Sequence, residues 1–222
     1  MVNYQLELEK ILSGVDKSDK PLLFLHVCCA PCASYVLKYL EEYFDIIIYF
    51  YNPNIDTSDE YYKRARELES FIGKASIKVM NLIIEDYNHG EFLAKAHGLE
   101  NEKEGGARCK ECFYLRLKRT FDFALHHLWK NSFDMGKKIY FCTTLSISPL
   151  KNASLINEIG NEIASKYKIT DGEYDIKFLP SDFKKNDGYK ISCDLSREYG
   201  LYRQDFCGCE FSKKEVVVND FV

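Results

Sequence analysis

The run Ile46-Ile47-Ile48-Tyr49-Phe50-Tyr51 is β-branched and aromatic throughout and stops at the turn Asn52-Pro53-Asn54. Such a run marks a buried strand. Leu22-Leu23-Phe24-Leu25, just after Pro21, gives a second, and further strands are expected over 77–84, 139–143 and 175–179. Between them lie helix-like stretches. The spacing predicts helices over 4–13, from Pro31 to about 40, from a cap at Ser58 to about 71, over 87–97, 109–128 and 154–167, and over 194–199. The polar stretch 101–106, ending in Gly105-Gly106, is a loop. Strands alternating with helices make an α/β fold, a mostly parallel sheet with flanking helices. Ligands bind such sheets at the carboxyl ends of the strands. Cys28 and Cys29 follow the first strand, Asn52 to Asn54 the second and Thr143-Thr144 the fourth, so residues distant in sequence are expected to meet on one rim.

With 222 residues, 46% of them hydrophobic, the chain has apolar material for one core. No linker or repeat divides it, so residues 1–222 read as a single catalytic domain, with 1–21 a helical N-terminal extension. A net charge of -4 argues against a general nucleic-acid binder but leaves room for a local basic patch. There is neither an apolar run long enough for a membrane span nor a basic-then-apolar leader, so a cytoplasmic protein with no membrane partner is expected.

The nine cysteines do not suit a disulfide framework, because the cytosol keeps thiols reduced. Seven fall into three groups: Cys28-Cys29-x-x-Cys32, Cys109-x-x-Cys112 and Cys207-Gly208-Cys209. Clusters of this kind read as metal or redox chemistry. The first group stands where a nucleotide-binding α/β protein carries a glycine-rich phosphate loop. Here that loop has no glycine and feeds three thiols into a helix N-terminus, which favours thiolate and a soft metal. Cys109 and Cys112 share one helix face. Together the two groups exceed the four thiolates of a [4Fe–4S] cluster or of a closed zinc site built from Cys29, Cys32, Cys109 and Cys112. In the third group Gly208 gives the backbone freedom to close a small, strained and therefore reducible disulfide, the alternative being two free thiols at a turn. Cys142, inside an apolar strand, and the isolated Cys193 read as inert thiols. His26, at a strand end, reads as a structural residue or one that orients the cysteine loop.

The motifs His26-Val27-Cys28-Cys29-Ala30-Pro31-Cys32, Tyr51-Asn52-Pro53-Asn54-Ile55, Gly106-Ala107-Arg108-Cys109-Lys110-Glu111-Cys112-Phe113, Thr143-Thr144-Leu145-Ser146-Ile147-Ser148-Pro149, Asp182-Phe183-Lys184-Lys185, Gly188-Tyr189 and Leu201-Tyr202-Arg203-Gln204-Asp205-Phe206-Cys207-Gly208-Cys209 occur in that order. With them the sequence resembles the QueH family, the tRNA epoxyqueuosine reductases, from about residue 22 to 212. The resemblance implies a nucleotide-hydrolase-like (Rossmann-like) arrangement and reduction of the epoxide of epoxyqueuosine at the tRNA wobble position to queuosine. It also implies a [4Fe–4S] cluster on Cys28, Cys29, Cys109 and Cys112, with Cys207 and Cys209 as a redox-active pair. Cys32 is left as an alternative cluster ligand or part of a second metal site.

Opening an epoxide to an alkene and water takes two electrons and two protons, so a proton donor is needed. Asp182, Tyr202 and Asp205 are the candidates, each with a plain reading as capping or surface polarity. The partners implied are the anticodon stem-loop of a tRNA and an electron donor of unknown identity. Lys63, Arg64, Arg66, Arg108, Lys110, Arg116, Lys184, Lys185, Arg197 and Arg203 are the candidate phosphate contacts, and Tyr51, Tyr189 and Tyr202 the candidate stacking surfaces. Two other readings compete. A tRNA-thiolation-type iron–sulfur enzyme would want a Gly/Ser pyrophosphate loop after the first strand, which is absent. A zinc-stabilised RNA-binding module would not need Cys207 or Cys209.

Overall fold

The computed structural model describes residues 2–131, 136–167, 174–204 and 206–213. Five parallel strands form one sheet: β1 (Leu22–His26), β2 (Asp45–Phe50), β3 (Asn81–Ile84), β4 (Ile139–Thr143) and β5 (Ile176–Phe178), in the order β3-β2-β1-β4-β5. Helices fill the connections: α1 (Tyr4–Ser13), α2 (Ala30–Leu40), α3 (Ser58–Lys74), α4 (His89–Ala96), α5 (Ala107–Lys130), α6 (Ala153–Lys166) and α7 (Gly188–Glu198).

Both faces of the sheet are covered, which is why its central strands read as unbroken apolar runs. Leu23 and Leu25 of β1 and Ile46, Ile48 and Phe50 of β2 point into one core with α1, α2 and α3. Leu22 and Phe24 of β1, with Ile139 and Phe141 of β4, point into the other, under α5 and α6. Leu8 and Leu12 of α1 belong to the first core, so the N-terminal helix is packed into the body of the fold. Among the described residues no helix is long and apolar enough to cross a membrane.

The α/β expectation and the parallel sheet hold, and β4 occupies its expected residues. Other bounds shift for local reasons. The cap of α3 is Thr57, whose Oγ1 accepts from Glu60 N–H at 3.3 Å. The expected strand over 77–84 pairs only from Asn81 onward, because β3 is an edge with one neighbour. Helix α7 starts six residues before the expected 194, after Asn186 and Asp187 turn the chain at positive φ (51° and 60°).

The chain winds from β1 to β2 and β3 on one side, then crosses back to place β4 on the other side of β1. This reversal opens a crevice between the carboxyl ends of β1 and β4, the place where open α/β sheets take their ligands.

Candidate active site

The loop leaving β1 carries the first cysteine group into that crevice. Cys29 is the N-cap of α2 in extended backbone, and Pro31 occupies the helix's first turn, where its missing N–H costs nothing. Cys28, Cys29 and Cys32 have sulfurs that all lie within 4.8 Å of one another, with Cys28 and Cys29 at 3.8 Å. Thr144, just after β4, reaches across the crevice to the Cys28 sulfur at 3.6 Å. Thus the rims of β1 and β4 meet as the rim rule expects.

Hydrogen bonds from the thiols of Cys29 and Cys32 hold Cys28 well below the usual thiol range. In turn, that charge pushes Cys29 up to about 12 and Cys32 upward as well. Negative charge in the metal-free triad is thus favoured on Cys28 over its two neighbours, and a metal bound by all three as thiolates would displace the protons they retain.

The second group opens α5. Gly105, at φ +88°, turns the chain so that its N–H donates to Cys109 Sγ at 3.2 Å, and Cys112 follows on the same helix face. Burial nevertheless raises both thiols, Cys112 to about 11. The third group lies in the last described segment, residues 206–213. Gly208 takes φ +101°, a conformation that favours glycine, in the turn that brings both Cys207 and Cys209 to the wall of one cavity. Cys207 is held well below the usual range by the Cys209 hydrogen bond, by Lys151 and by Ser212, whose hydroxyl is 3.1 Å from its sulfur. Cys209 shifts upward for the reciprocal reason.

Two adjoining cavities join the groups. The larger, about 370 Å³, is lined by Cys28, Cys29 and Cys32 together with Cys207, Lys151 and Arg116. The smaller, about 30 Å³, is lined by Cys109, Cys112, Cys207 and Cys209 and shares Arg116 and Lys151 with the first. All three cysteine groups therefore converge on one rim.

This arrangement carries its own counter-charge. Burial opposes the charge on Arg116, but the fields of Cys112, Cys28, Cys207 and Cys109 outweigh it. Lys151 behaves alike, with burial outweighed by Cys207, Cys28 and Cys32. Two cations among clustered cysteine sulfurs suit an anionic metal–thiolate centre, and the soft, convergent donor set fits a sulfur-ligated metal.

The family model for epoxyqueuosine reductase QueH matches residues 23–215. The chain belongs to the epoxyqueuosine reductase QueH family. It is similar to the epoxyqueuosine reductase QueH of Staphylococcus epidermidis, 40% identical over 217 residues that cover 95% of this chain and 84% of the relative. It is 39% identical to that of Streptococcus pyogenes over 217 residues, 96% of this chain and 79% of the relative. For Thermotoga maritima the figures are 32% over 196 residues, 87% of this chain and 91% of the relative.

For a QueH-family chain, several side chains stand elsewhere than the sequence alone suggests. Arg64, Arg108 and Arg116 are only 3%, 1% and 4% exposed, so they are not surface phosphate contacts, nor is Arg64 on a solvated helix face. Arg108 instead donates to the carbonyls of Leu99, Glu100 and Glu102 and ties down the loop before α5. Lys63, Arg66, Lys110, Lys185, Arg197 and Arg203 do remain exposed. Asp182 pairs with Lys184 at 2.6 Å, and Tyr202 directs its hydroxyl to Glu60 at 3.3 Å; neither lines the two cavities. Asp205 lies outside the described residues. His26 is fully buried, with ring nitrogens 2.8 Å from Thr143 Oγ1 and 3.0 Å from the Tyr51 carbonyl, a structural pin between three strands. Cys142 is buried 3.2 Å from the Leu179 carbonyl, as its strand setting implies.

Sequence reasoning missed Lys151 and the thiol-facing role of Arg116. Arg116 lies four residues beyond Cys112, so helical spacing alone put it on the cysteine face. Lys151 lies two residues past Pro149, in the turn that follows β4 on the same rim.

Proposed function

We propose that this chain, an oxidoreductase of the epoxyqueuosine reductase family, reduces the epoxide of epoxyqueuosine at the wobble position of a tRNA to queuosine. In this reading Cys28, Cys29, Cys109 and Cys112 hold a [4Fe–4S] cluster, and Cys207 with Cys209 is the dithiol that supplies the reducing equivalents. The observation that carries it is the convergence of three cysteine groups on two adjoining cavities that share Cys207, Arg116 and Lys151.

The bound cluster would supply single-electron transfer. The chain's own residues do the rest. Oxidation of a Cys207 thiolate and a Cys209 thiol to a disulfide releases two electrons and one proton; an epoxide becoming an alkene and water takes two of each, so the second proton comes from solvent. Cys207 is the sulfur kept as thiolate, while Cys209 keeps its proton. Lys151 brings an N–H donor to both cavities, close to where oxygen is released. An external electron donor then restores the dithiol. Tyr189 and Phe206 offer aromatic faces at the larger cavity and Arg203 an exposed cation, a combination suited to an unstacked nucleotide.

The close spacing of Cys28, Cys29 and Cys32 supports a second reading. A tetrahedral zinc with Zn–S of about 2.3 Å sets its sulfurs roughly 3.8 Å apart, and Cys28 and Cys29 stand at 3.8 Å. Cys32 could thus share in binding a smaller ion. Anaerobic purification with iron, sulfide and zinc analysis tests both. About four irons and four sulfides per chain support the cluster; stoichiometric zinc without iron overturns it.

A further inference from the structure

The turn that carries Cys207 and Cys209 is held by the loop after β2 and the start of α3, not by either of the other cysteine groups. The Cys207 carbonyl accepts from Asn54 Nδ2 and from Arg64 Nη1, each at 3.3 Å. The Gly208 carbonyl accepts from the Asp56 N–H at 3.1 Å. Lys213 pairs with Asp56 at 2.7 Å, and His89 bridges the Pro53 carbonyl (2.7 Å) and Glu210 (3.1 Å).

Arg64 is the charged member of this clamp. It is 3% exposed, its Nε donates to Glu60 at 2.7 Å, and its guanidinium lies 5.3 Å from the Phe206 ring centre. A Cβ on Gly208 would sit 3.0 Å from Ile55 Cγ1 and 3.2 Å from Arg64 Nη1, so the guanidinium is packed directly on the turn. A single i,i+4 ion pair on a helix surface stabilises by a few tenths of a kcal/mol and gives no reason to bury an arginine. The added bond to the Cys207 carbonyl does.

We infer that Arg64 is a positioning residue for the redox turn, fixing the Cys207 backbone and, through its charge, favouring the dithiol over the disulfide. This rests on reading Cys207 and Cys209 as a redox pair. When the pair is oxidised, a Cys207–Cys209 S–S bond forms. In a dithiothreitol buffer the two electrons and the Cys209 proton pass to oxidised dithiothreitol, whose own S–S bond breaks, and the buffer supplies the second proton. Removing the cation beside Cys207 disfavours its thiolate, and leaving Glu60 unpaired acts in the same direction.

The test equilibrates the holoenzyme anaerobically in dithiothreitol buffers of varied ratio, then quantifies the Cys207–Cys209 disulfide by alkylation and mass spectrometry. The wild type should titrate between the two states. Arg64→Gln should move the equilibrium toward the disulfide about tenfold, or roughly 30 mV. Arg64→Lys, which keeps the charge but loses the second arm, should fall between. An equilibrium constant for Arg64→Gln equal to that of wild type overturns the inference, even if its melting temperature drops. If Arg64→Gln cannot be recovered folded, wild-type behaviour of Arg64→Lys overturns it instead. Should the wild type form no Cys207–Cys209 disulfide at any ratio, the redox reading itself fails and the inference falls with it.

Discussion

Asn52 and Arg116 face each other across the crevice, with Arg116 Nη1 donating to Asn52 Oδ1 at 3.4 Å. The same amide donates through Nδ2 to the Val27 carbonyl at 2.9 Å, one residue before Cys28. Asn52 thereby links α5, which carries Cys109 and Cys112, to the loop that carries Cys28 and Cys29. Asn52→Ala would leave a buried carbonyl and a buried guanidinium each short of a partner. Unpaired buried groups cost about 1–3 kcal/mol each, so a loss of about 2–6 kcal/mol in urea unfolding is expected. A loss below about 0.5 kcal/mol would show that the link is not structural.

Substitution at the cysteines should separate the two proposed roles. Cys109→Ser should abolish the cluster absorbance. Cys207→Ser should retain it and lose multiple turnover. Normal turnover by Cys207→Ser would remove the redox-pair assignment.

Acid should weaken the metal-free protein through His26. Burial first, then the nearby Arg116, lowers its pKa from 6.5 to about 4. Below 6.5 the unfolded chain takes up a proton that the folded chain refuses, so stability falls as the pH drops from 6.5 toward 4. The shift corresponds to about 3 kcal/mol. Unfolding free energy measured at pH 7 and pH 4 should show this loss, and His26→Asn should flatten it. An equally steep loss in the variant would place the sensitivity elsewhere.

Packing of α6 on β5 depends on Gly160. A Cβ there would fall 2.3 Å from the Phe178 ring, which is itself buried. Alanine gains up to about 1 kcal/mol in helix propensity, whereas overpacking a core costs about 1–3 kcal/mol. Gly160→Ala should therefore lower the melting temperature, and a raised one would mean that Phe178 moves aside freely.

If the exposed cations contact tRNA phosphates, binding must weaken with salt. About three contacts would weaken it roughly tenfold or more between 50 and 200 mM salt. Flat binding over that range would reject a phosphate-contacting surface.

Much of this architecture can be read from the chain alone. The apolar runs of β1, β2 and β4 and the alternation with helices determine the sheet, and the rim rule then brings Cys28 near Thr144. Convergence of the third cysteine group was harder to see, because residues 206–213 reach the rim through hydrogen bonds to Asn54, Arg64 and Asp56 rather than through any periodic pattern. The burial of Arg64 and Arg116 was equally hidden. A cation's exposure depends on the charges and carbonyls that distant segments bring to it, and only the spacing from Cys112 to Arg116 hinted at the outcome. The early start of α7 escaped notice because its first turn follows two residues at positive φ rather than an apolar repeat.

The pairing of β1 with β4 joins Leu22 to Ile139 and Leu25 to Cys142. During synthesis the first two cysteine groups therefore leave the ribosome well before the strand that completes their crevice. Contacts of such long sequence separation form late. A nascent chain ending short of Ile139 presents five of the clustered thiols without the wall that shelters them, exposed to oxidants and stray metals. The moment at which these thiols become sheltered is thus set by the topology of the sheet.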